Sequence, residues 1–274
     1  MTDARGIRPA GLVTGASSGL GRALALELAA TGREVALLAR DGARLATVAA
    51  EIRTRGGQAT CIEADVRDEA GLRDAIDKSL GDKPIDRVVH AAGVLALGPI
   101  DTLSSDDFRR CLEINVLGSA HVVRATLPRL ERTHGRIALI ASIAGSLALP
   151  GGFAAYSASK WGVRGLAEVL RPELASRGIH VLCACPSILD TPMLGGLGPD
   201  APAVYRVFPW HSPESAARRI LADLERGRRE SYMTAADRLA AWASGTAPGL
   251  FTAGLHAWIR FRDRGPGGPG RPAR

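Results

Sequence analysis

A tyrosine and a lysine stand four residues apart at Tyr156 and Lys160, in the run YSASK. This spacing predicts that the phenol and the ammonium lie on the same face of a helix. A tyrosine with the ordinary pKa of ~10 is a poor proton donor or acceptor at neutral pH. Because a neighbouring cation favours the phenolate, we expect Lys160 to lower the pKa of Tyr156. The pair therefore predicts general acid–base chemistry.

A glycine-rich turn occupies residues 14–21, with the sequence TGASSGLG, between an apolar run and a stretch of helical period. Glycines at a strand-to-helix turn let the backbone approach a ligand, and the helix N-terminus attracts a pyrophosphate. The spacing differs from the common dinucleotide fingerprint, and the turn has no lysine for a nucleoside triphosphate. A tight turn with glycines chosen for packing is the alternative. The turn predicts a dinucleotide site with contacts at Gly15, Ser17, Ser18, Gly19, Leu20 and Gly21.

The second predicted strand ends in the run LARD, which contains Arg40 and Asp41. An acidic side chain at this point binds the ribose 2′-hydroxyl of NAD, and an arginine accepts the 2′-phosphate of NADP. Since a guanidinium can bind a phosphate through two parallel hydrogen bonds, we expect NADP(H) to be preferred. NAD(H) stays possible, because Asp41 becomes the ribose ligand if the register shifts by one residue. A solvated loop charge is the alternative role for Arg40.

Short apolar runs alternate with longer stretches of helical period, which is the pattern of repeated βαβ units. Both faces of such a sheet are covered, so its strands should be nearly all apolar. We predict an α/β fold: a single-domain, Rossmann-like, doubly wound parallel sheet with helices on both faces, within a catalytic domain of residues 1–234. The predicted strands are 11–14, 34–39, 58–63, 87–90, 136–142 and 180–184, and the predicted helices are 20–30, 41–55, 68–80, 105–131, 155–177 and 213–228.

The chain changes character after Pro186. Residues 187–212 are rich in proline and glycine and too long for an ordinary connection, so we predict a mobile loop that covers the substrate. Residues 235–261 predict an irregular amphipathic segment, and the Gly/Pro/Arg tail at 262–274 is predicted to be disordered. The amphipathic segment either covers the substrate pocket or a neighbouring subunit, or it docks on an anionic bilayer through tryptophan and arginine.

The net charge of +7 is concentrated at the C-terminus, where residues 260–274 hold five arginines and one aspartate. The remainder is nearly balanced, so we expect no nucleic-acid partner. Neither a secretory signal nor a long apolar run is visible, which predicts a cytoplasmic protein. The four cysteines are too scattered for a disulfide scaffold and are predicted to be reduced core residues; they are Cys61, Cys111, Cys183 and Cys185.

Together, the turn at residues 14–21 and the Tyr156/Lys160 pair resemble the two most specific motifs of the classical short-chain dehydrogenase/reductase family. The likeness runs from about residue 11 to about residue 227. It implies a nicotinamide cofactor, hydride transfer between a carbonyl and an alcohol carbon, and a homodimer or homotetramer. The cofactor contacts that it implies, with Asp65 at the adenine and Thr191 at the carboxamide, are Asp65, Val66, Ala92, Gly93, Tyr156, Lys160, Pro186, Ile188 and Thr191.

The same resemblance implies a catalytic set of four residues. Tyr156 would exchange the proton of the alcohol, and Ser142 would hydrogen-bond the substrate oxygen. Lys160 would lower the pKa of Tyr156 and bind the nicotinamide ribose. Asn115 would hold a water that links Lys160 to solvent.

Three positions depart from the family pattern. His90 and Ala91 stand where the family has two asparagines, which puts the support of the central sheet by those amides in doubt. We expect His90 to be a structural histidine. Ser187 replaces the glycine of the Pro-Gly turn before the nicotinamide. We predict an NADP(H)-dependent oxidoreductase that acts on an apolar or amphipathic carbonyl or alcohol, with no metal. The alternative is a non-catalytic, cofactor-binding sensor or scaffold.

Overall fold

Seven parallel strands form one sheet in the computed structural model, which describes residues 9–195 and 201–264. The strands are β1 (Ala10–Thr14), β2 (Val35–Ala39), β3 (Ala59–Glu63), β4 (Ile85–His90), β5 (Arg136–Ile140), β6 (His180–Cys185) and β7 (Glu230–Tyr232). Their order across the sheet is β3-β2-β1-β4-β5-β6-β7. The direction of winding reverses between β1 and β4, and a crevice for a ligand forms at such a switch point.

Helices cover both faces of the sheet. They are α1 (Gly19–Ala30), α2 (Gly42–Thr54), α3 (Glu69–Leu80), α4 (Ser105–Cys111), α5 (Gly118–Thr133), α6 (Ala154–Ala175), α7 (Val204–Val207), α8 (Pro213–Glu225), α9 (Ala235–Thr246) and α10 (Pro248–Arg264). A π-helical turn, Leu112–Leu117, connects α4 and α5. None of the described helices is long and apolar enough to cross a membrane.

Alternate residues of the central strands pack into two different layers of the core. In β1, Leu12 belongs to the core under α3, α5 and α6, whereas Val13 belongs to the core under α1, α2 and α8. Both side chains are fully buried. Because side chains alternate between the faces of a strand, a strand covered on both faces must be apolar throughout. The predicted doubly wound α/β fold is confirmed.

Three elements differ from the sequence expectation. The strand β7 was not predicted, because Glu230–Tyr232 contains no apolar run that would indicate a strand. The expected single helix at 105–131 is divided by the π-helical turn, and turns of this kind are frequent at functional sites. The expected strand 136–142 ends at Ile140, so Ser142 lies just beyond the sheet.

The C-terminal segment is more regular than predicted. Residues 235–261 are helical except at Ala247, where α9 ends and Pro248 begins α10. Proline is well tolerated at the first position of a helix, so it separates two helices here. The helix α10 continues through residue 264, which corrects the prediction of disorder for 262–264. Residues 265–274 lie outside the described residues.

One of the four cysteine predictions is wrong. Cys61 is exposed, because β3 is an edge strand of the sheet. The other three are buried, and all four are free thiols.

Candidate active site

A cavity of about 650 Å³ opens at the carboxyl ends of the strands. Every residue expected to contact the cofactor lines it, as do Ser142, Tyr156 and Lys160. Its wall includes a residue just after each of the first six strands: Gly15, Arg40, Asp65, Ala92, Ser142 and Pro186. Asn115 is the one expected catalytic residue that does not line the cavity.

The glycine-rich turn forms a backbone wall with no room for side chains. Gly15 has a φ of +65°, and a Cβ there would lie 2.8 Å from the backbone of Ala92. A Cβ on Gly21 would lie 2.1 Å from the carbonyl oxygen of Gly15. Ser18 precedes α1 without a side-chain hydrogen bond to the first turn, so the N–H groups of that turn stay available for an anion. This geometry fits a pyrophosphate.

Arg40 and Asp41 have different roles at the end of β2. Both oxygens of Asp41 are engaged at the start of α2: Oδ1 accepts from the backbone N of Arg44 at 3.0 Å, and Oδ2 lies 3.2 Å from Nε of Arg44. Arg40 is 64% exposed, and its Nη1 lies 3.9 Å from Oδ2 of Asp65. Of the two side chains, Arg40 is therefore the one that is free to bind a ligand from the cavity.

Asp65 is held in its charged form beside Arg40. Its carboxylate accepts hydrogen bonds from Arg67, with Nη2 to Oδ2 at 2.6 Å. These bonds keep the pKa of Asp65 below its ordinary range. This end of the cavity therefore contains a fixed carboxylate next to the exposed guanidinium of Arg40.

The phenol of Tyr156 and the hydroxyl of Ser142 both line the cavity. Burial raises the pKa of Tyr156 to about 12, and the neighbouring Ser142 hydroxyl opposes this only in part. The effect is opposite to the lowering expected from Lys160, because desolvation of the phenolate dominates. At neutral pH Tyr156 keeps its proton, and it is therefore able to act as a proton donor.

Lys160 is buried behind Tyr156. Its Nζ lies 5.7 Å from the centroid of the Tyr156 ring and donates to the carbonyl oxygen of Ile140 at 2.8 Å. A Cβ on Gly93 would lie 3.4 Å from Nζ, so the loop after β4 packs closely against the ammonium. Burial lowers the pKa of Lys160 to about 8. The side-chain amine of Lys160 is therefore still mostly protonated at neutral pH. Lys160 and Tyr156 line the same cavity.

Asn115 lies in the π-helical turn and joins the loop after β4 to α6. Its Oδ1 accepts from the backbone N of Val94 at 2.8 Å, and its Nδ2 donates to the Val94 carbonyl at 3.0 Å. Nδ2 also donates to Oγ of Ser159 at 2.8 Å. Val94 lines the cavity, and so does Lys160, which follows Ser159 in the chain. Asn115 therefore supports the cavity wall from behind.

His90 occupies a structural position between β1 and β4. Its Nδ1 lies 2.8 Å from Oγ1 of Thr14, which also accepts from the backbone N of Ala92 at 3.1 Å. Burial lowers the pKa of His90 to about 3, so the ring is neutral. The contact replaces the link expected from the family's asparagines.

The other half of the cavity is apolar. It is lined by Leu95, Leu149, Phe153, Val204, Tyr205 and Phe208, of which the last three belong to the proline- and glycine-rich segment. Sequence reasoning missed these residues individually. For the three aromatic residues, the sequence did offer one signal, which is that such residues are rare in this chain. It contains only three tyrosines and five phenylalanines, and aromatic side chains bury large apolar areas.

The helix α10 covers the apolar half. Leu255 and Ile259 pack into the same cluster as Phe153 and Tyr205. The rings of Phe208 and Trp258 meet edge to face at 5.4 Å. The sequence left open what the C-terminal segment covers. Its second helix, α10, covers the pocket.

The short chain dehydrogenase family model matches residues 10–202. The chain belongs to this family. It is 33% identical over 231 residues to a 3-ketodihydrosphingosine reductase of Mus musculus, across 80% of this chain and 69% of that protein. A Burkholderia cenocepacia short chain dehydrogenase in complex with NADP is similar with a TM-score of 0.76 and 27% identity, covering 92% of this chain and 98% of that one. A Mycobacterium paratuberculosis short chain dehydrogenase bound to NAD has a TM-score of 0.71 and 26% identity, with coverages of 81% and 94%.

As a short-chain dehydrogenase, this protein is an NAD(P)-dependent oxidoreductase. The backbone wall at Gly15 and Gly21 and the uncapped first turn of α1 fit a nicotinamide dinucleotide. When bound, the dinucleotide supplies or accepts the hydride. The apolar half of the cavity remains for the substrate.

Proposed function

We propose that this short-chain dehydrogenase is an NADP(H)-dependent reductase that converts a ketone on a long apolar chain to a secondary alcohol. One observation carries the proposal. The hydroxyls of Ser142 and Tyr156 both line a cavity that has a glycine-rich wall at residues 15–21 and an apolar wall at Phe153 and Tyr205. A carbonyl oxygen bound by the two hydroxyls lies where these walls meet.

Each catalytic side chain has a physical role in this reaction. The protonated phenol of Tyr156 gives its proton to the oxygen as negative charge develops there. The Ser142 hydroxyl hydrogen-bonds the same oxygen and stabilises that charge. Lys160 holds the nicotinamide ribose, and its positive charge favours the phenolate that Tyr156 becomes after proton transfer. Lys160 therefore stabilises the phenolate that remains on Tyr156 after the proton has been transferred.

The preference for NADP(H) is supported by Arg40. Its guanidinium is exposed at the end of β2, whereas the carboxylate of Asp41 is engaged by Arg44. An arginine at this position accepts a 2′-phosphate.

The apolar chain of the substrate is supported by the aromatic and aliphatic lining of the cavity. Its cover, α10, adds Leu255 and Ile259 to the same cluster. Burial of apolar surface contributes about 25 cal/mol per Å², so a long alkyl chain would bind here more tightly than a short one. The similarity to a 3-ketodihydrosphingosine reductase supports a ketone substrate.

We further propose that α9 and α10 contact an anionic membrane surface. Large apolar side chains on these helices are exposed: Leu239 by 63%, Trp242 by 66%, Leu250 by 81% and Phe261 by 76%. Arginines lie among them, and the sequence that follows adds more. Exposed tryptophan with flanking arginine is typical of helices that lie at the surface of an anionic bilayer. A surface over the apolar half of the cavity would bring a lipid-like ketone to the site.

Self-association as a homodimer or homotetramer is also proposed. The exposed apolar side chains Leu117, Trp161 and Val169, on the π-helical turn and α6, support it. Light scattering after gel filtration tests this proposal, and a monomeric mass would contradict it.

The reductase activity is tested by following NADPH oxidation with medium- and long-chain ketones. We expect turnover with the wild type and a loss of at least about 1,000-fold with Tyr156→Phe, because the ring keeps its packing and only the proton donor is removed. Tyr205→Phe is the matched control: it removes a phenol from the same cavity and should retain activity. Equal turnover by wild type and Tyr156→Phe would contradict the mechanism. Failure of the wild type to reduce any ketone would contradict the function.

A further inference from the structure

Three carboxylates line the described part of the cavity: Asp41, Asp65 and Asp237. Asp41 and Asp65 follow β2 and β3 and form ion pairs with Arg44 and Arg67. Asp237 lies elsewhere, at the start of α9, and among the described residues no arginine or lysine forms an ion pair with it. Of the three, Asp237 is therefore the carboxylate without a cationic partner in the described ranges 9–195 and 201–264.

The structure fixes Asp237 through one of its two oxygens. Oδ2 accepts from the backbone N of Thr234 at 3.0 Å, as part of a capping box in which Oγ1 of Thr234 accepts from the backbone N of Asp237 at 3.0 Å. Oδ2 also accepts from Oγ of Ser187 at 3.3 Å. Within the described part of the chain, Oδ1 accepts no hydrogen bond. A half-buried carboxylate held in this way presents one free acceptor in a fixed direction.

Ser187 connects this carboxylate to the segment that carries Ser142. The backbone N of Ile143, next to Ser142, donates to the carbonyl oxygen of Pro186 at 2.9 Å. The turn at Pro186 and Ser187 is thereby tied to the end of β5, and Ser187 is tied to Asp237. A glycine at position 187, as in the family pattern, would have no hydroxyl to make the second contact.

We propose that Asp237 binds an ammonium group of the substrate, so that the preferred ketone is an amino ketone with its amine near the carbonyl and its apolar chain along Phe153 and Tyr205. The proposal rests on the proposed reductase function. An ammonium supplies the cation that Asp237 lacks, and a charged hydrogen bond in a partly dehydrated cavity is stronger than a neutral one. The positive charge next to the carbonyl also stabilises the developing alkoxide during reduction.

The test compares two substrates of equal chain length, a long-chain α-amino ketone and the matching α-hydroxy ketone, in kcat/KM with NADPH. We expect the wild type to prefer the amino ketone, and Asp237→Asn to lose about 10- to 100-fold with the amino ketone only. The asparagine oxygen still accepts from Thr234 and Ser187, so this variant preserves the start of α9. The preference of the wild type should also disappear as the pH rises above the pKa of the amine.

Thr234→Ala is the control variant. It removes the hydroxyl of the same capping box and leaves the carboxylate, so it should lower stability without changing the ratio between the two ketones. The inference is overturned if the wild type reduces both ketones equally well, or if Asp237→Asn affects both equally. In either case ketone reduction itself stands. Absence of activity on both substrates would instead overturn the proposed reductase function.

Discussion

The amide of Asn115 donates from Nδ2 to Oγ of Ser159 at 2.8 Å, and Ser159 in turn donates to the carbonyl oxygen of Tyr156 at 2.7 Å. The same amide makes two bonds to the backbone of Val94. Asn115 is fully buried, so none of these bonds is replaced by water when it is removed. The π-helical turn thus ties the helix of the catalytic tyrosine to the loop after β4.

Asn115→Leu should destabilise the protein by about 3 kcal/mol, because it leaves the buried polar groups of Val94 and Ser159 without partners. Ser159→Ala removes one of these bonds and should cost about 1 kcal/mol. Urea denaturation measures both values, and kcat of Asn115→Leu should fall because the tyrosine helix is no longer held in register. Equal stability of the two variants would contradict the conclusion that Asn115 connects α6 to the loop after β4.

Arg40→Ala should lower kcat/KM for NADPH by about 10- to 100-fold and leave kcat/KM for NADH nearly unchanged. The reason is that a charged hydrogen bond to the 2′-phosphate is lost, and the carboxylate of Asp65 nearby then repels that phosphate. Arg55→Ala, at an exposed ion pair with Glu51 away from the cavity, is the control and should change neither value. A wild type that prefers NADH would show that Arg40 has no such role.

Much of the fold and the dinucleotide wall could be predicted from the sequence, because local chemistry decides them. The glycines at residues 15–21 are required by backbone geometry, and the alternation of apolar runs with helical stretches determines the parallel sheet. The direction of the pKa shift of Tyr156 could not be predicted in the same way. It depends on how completely the surrounding chain excludes water, and burial outweighs the cation four residues away.

The individual residues of the substrate half of the cavity could not be predicted either, although the two segments that supply them could. Tyr205 and Phe208 meet Phe153 and Trp258 only after distant segments pack together. Such contacts leave no periodicity in the sequence. Asp237 illustrates the same limit, since its capping motif is visible locally but its contact with Ser187 bridges 50 residues of chain.

The stability of the wild type should fall in acid because of His90. The folded protein keeps this ring neutral, with its pKa lowered from 6.5 to about 3, whereas the unfolded chain takes up a proton below about pH 6.5. The contribution is therefore fully present above that pH and is lost as the pH decreases towards 3. Between pH 7.5 and pH 5 the loss is about 2 kcal/mol.

His90→Asn should reduce this acid dependence. An asparagine offers Thr14 a hydrogen-bond partner and does not titrate. Urea denaturation at pH 7.5 and pH 5 measures the free energy of unfolding for both proteins, and the decrease between the two pH values should be about 2 kcal/mol smaller for the variant. Identical decreases would mean that His90 is hydrated or protonated in the folded protein.

The membrane proposal predicts sedimentation with anionic vesicles at low salt. Two forces should add: burial of the exposed Trp242 and Phe261 in the headgroup region, and attraction of the arginines of α10 to anionic lipid. Binding to vesicles of zwitterionic lipid alone should be weaker, and raising the salt should reduce binding to the anionic vesicles by screening.

The double variant Trp242→Glu/Phe261→Glu should remain folded, because the two side chains are 66% and 76% exposed, and it should lose vesicle binding. Ile100→Glu is the matched control, since it introduces a charge at an apolar side chain that is 70% exposed and lies outside α9 and α10. The proposal requires the control to bind like the wild type. If the double variant binds as well as the control, or if the wild type stays in solution at low salt, the surface of α9 and α10 does not contact a membrane.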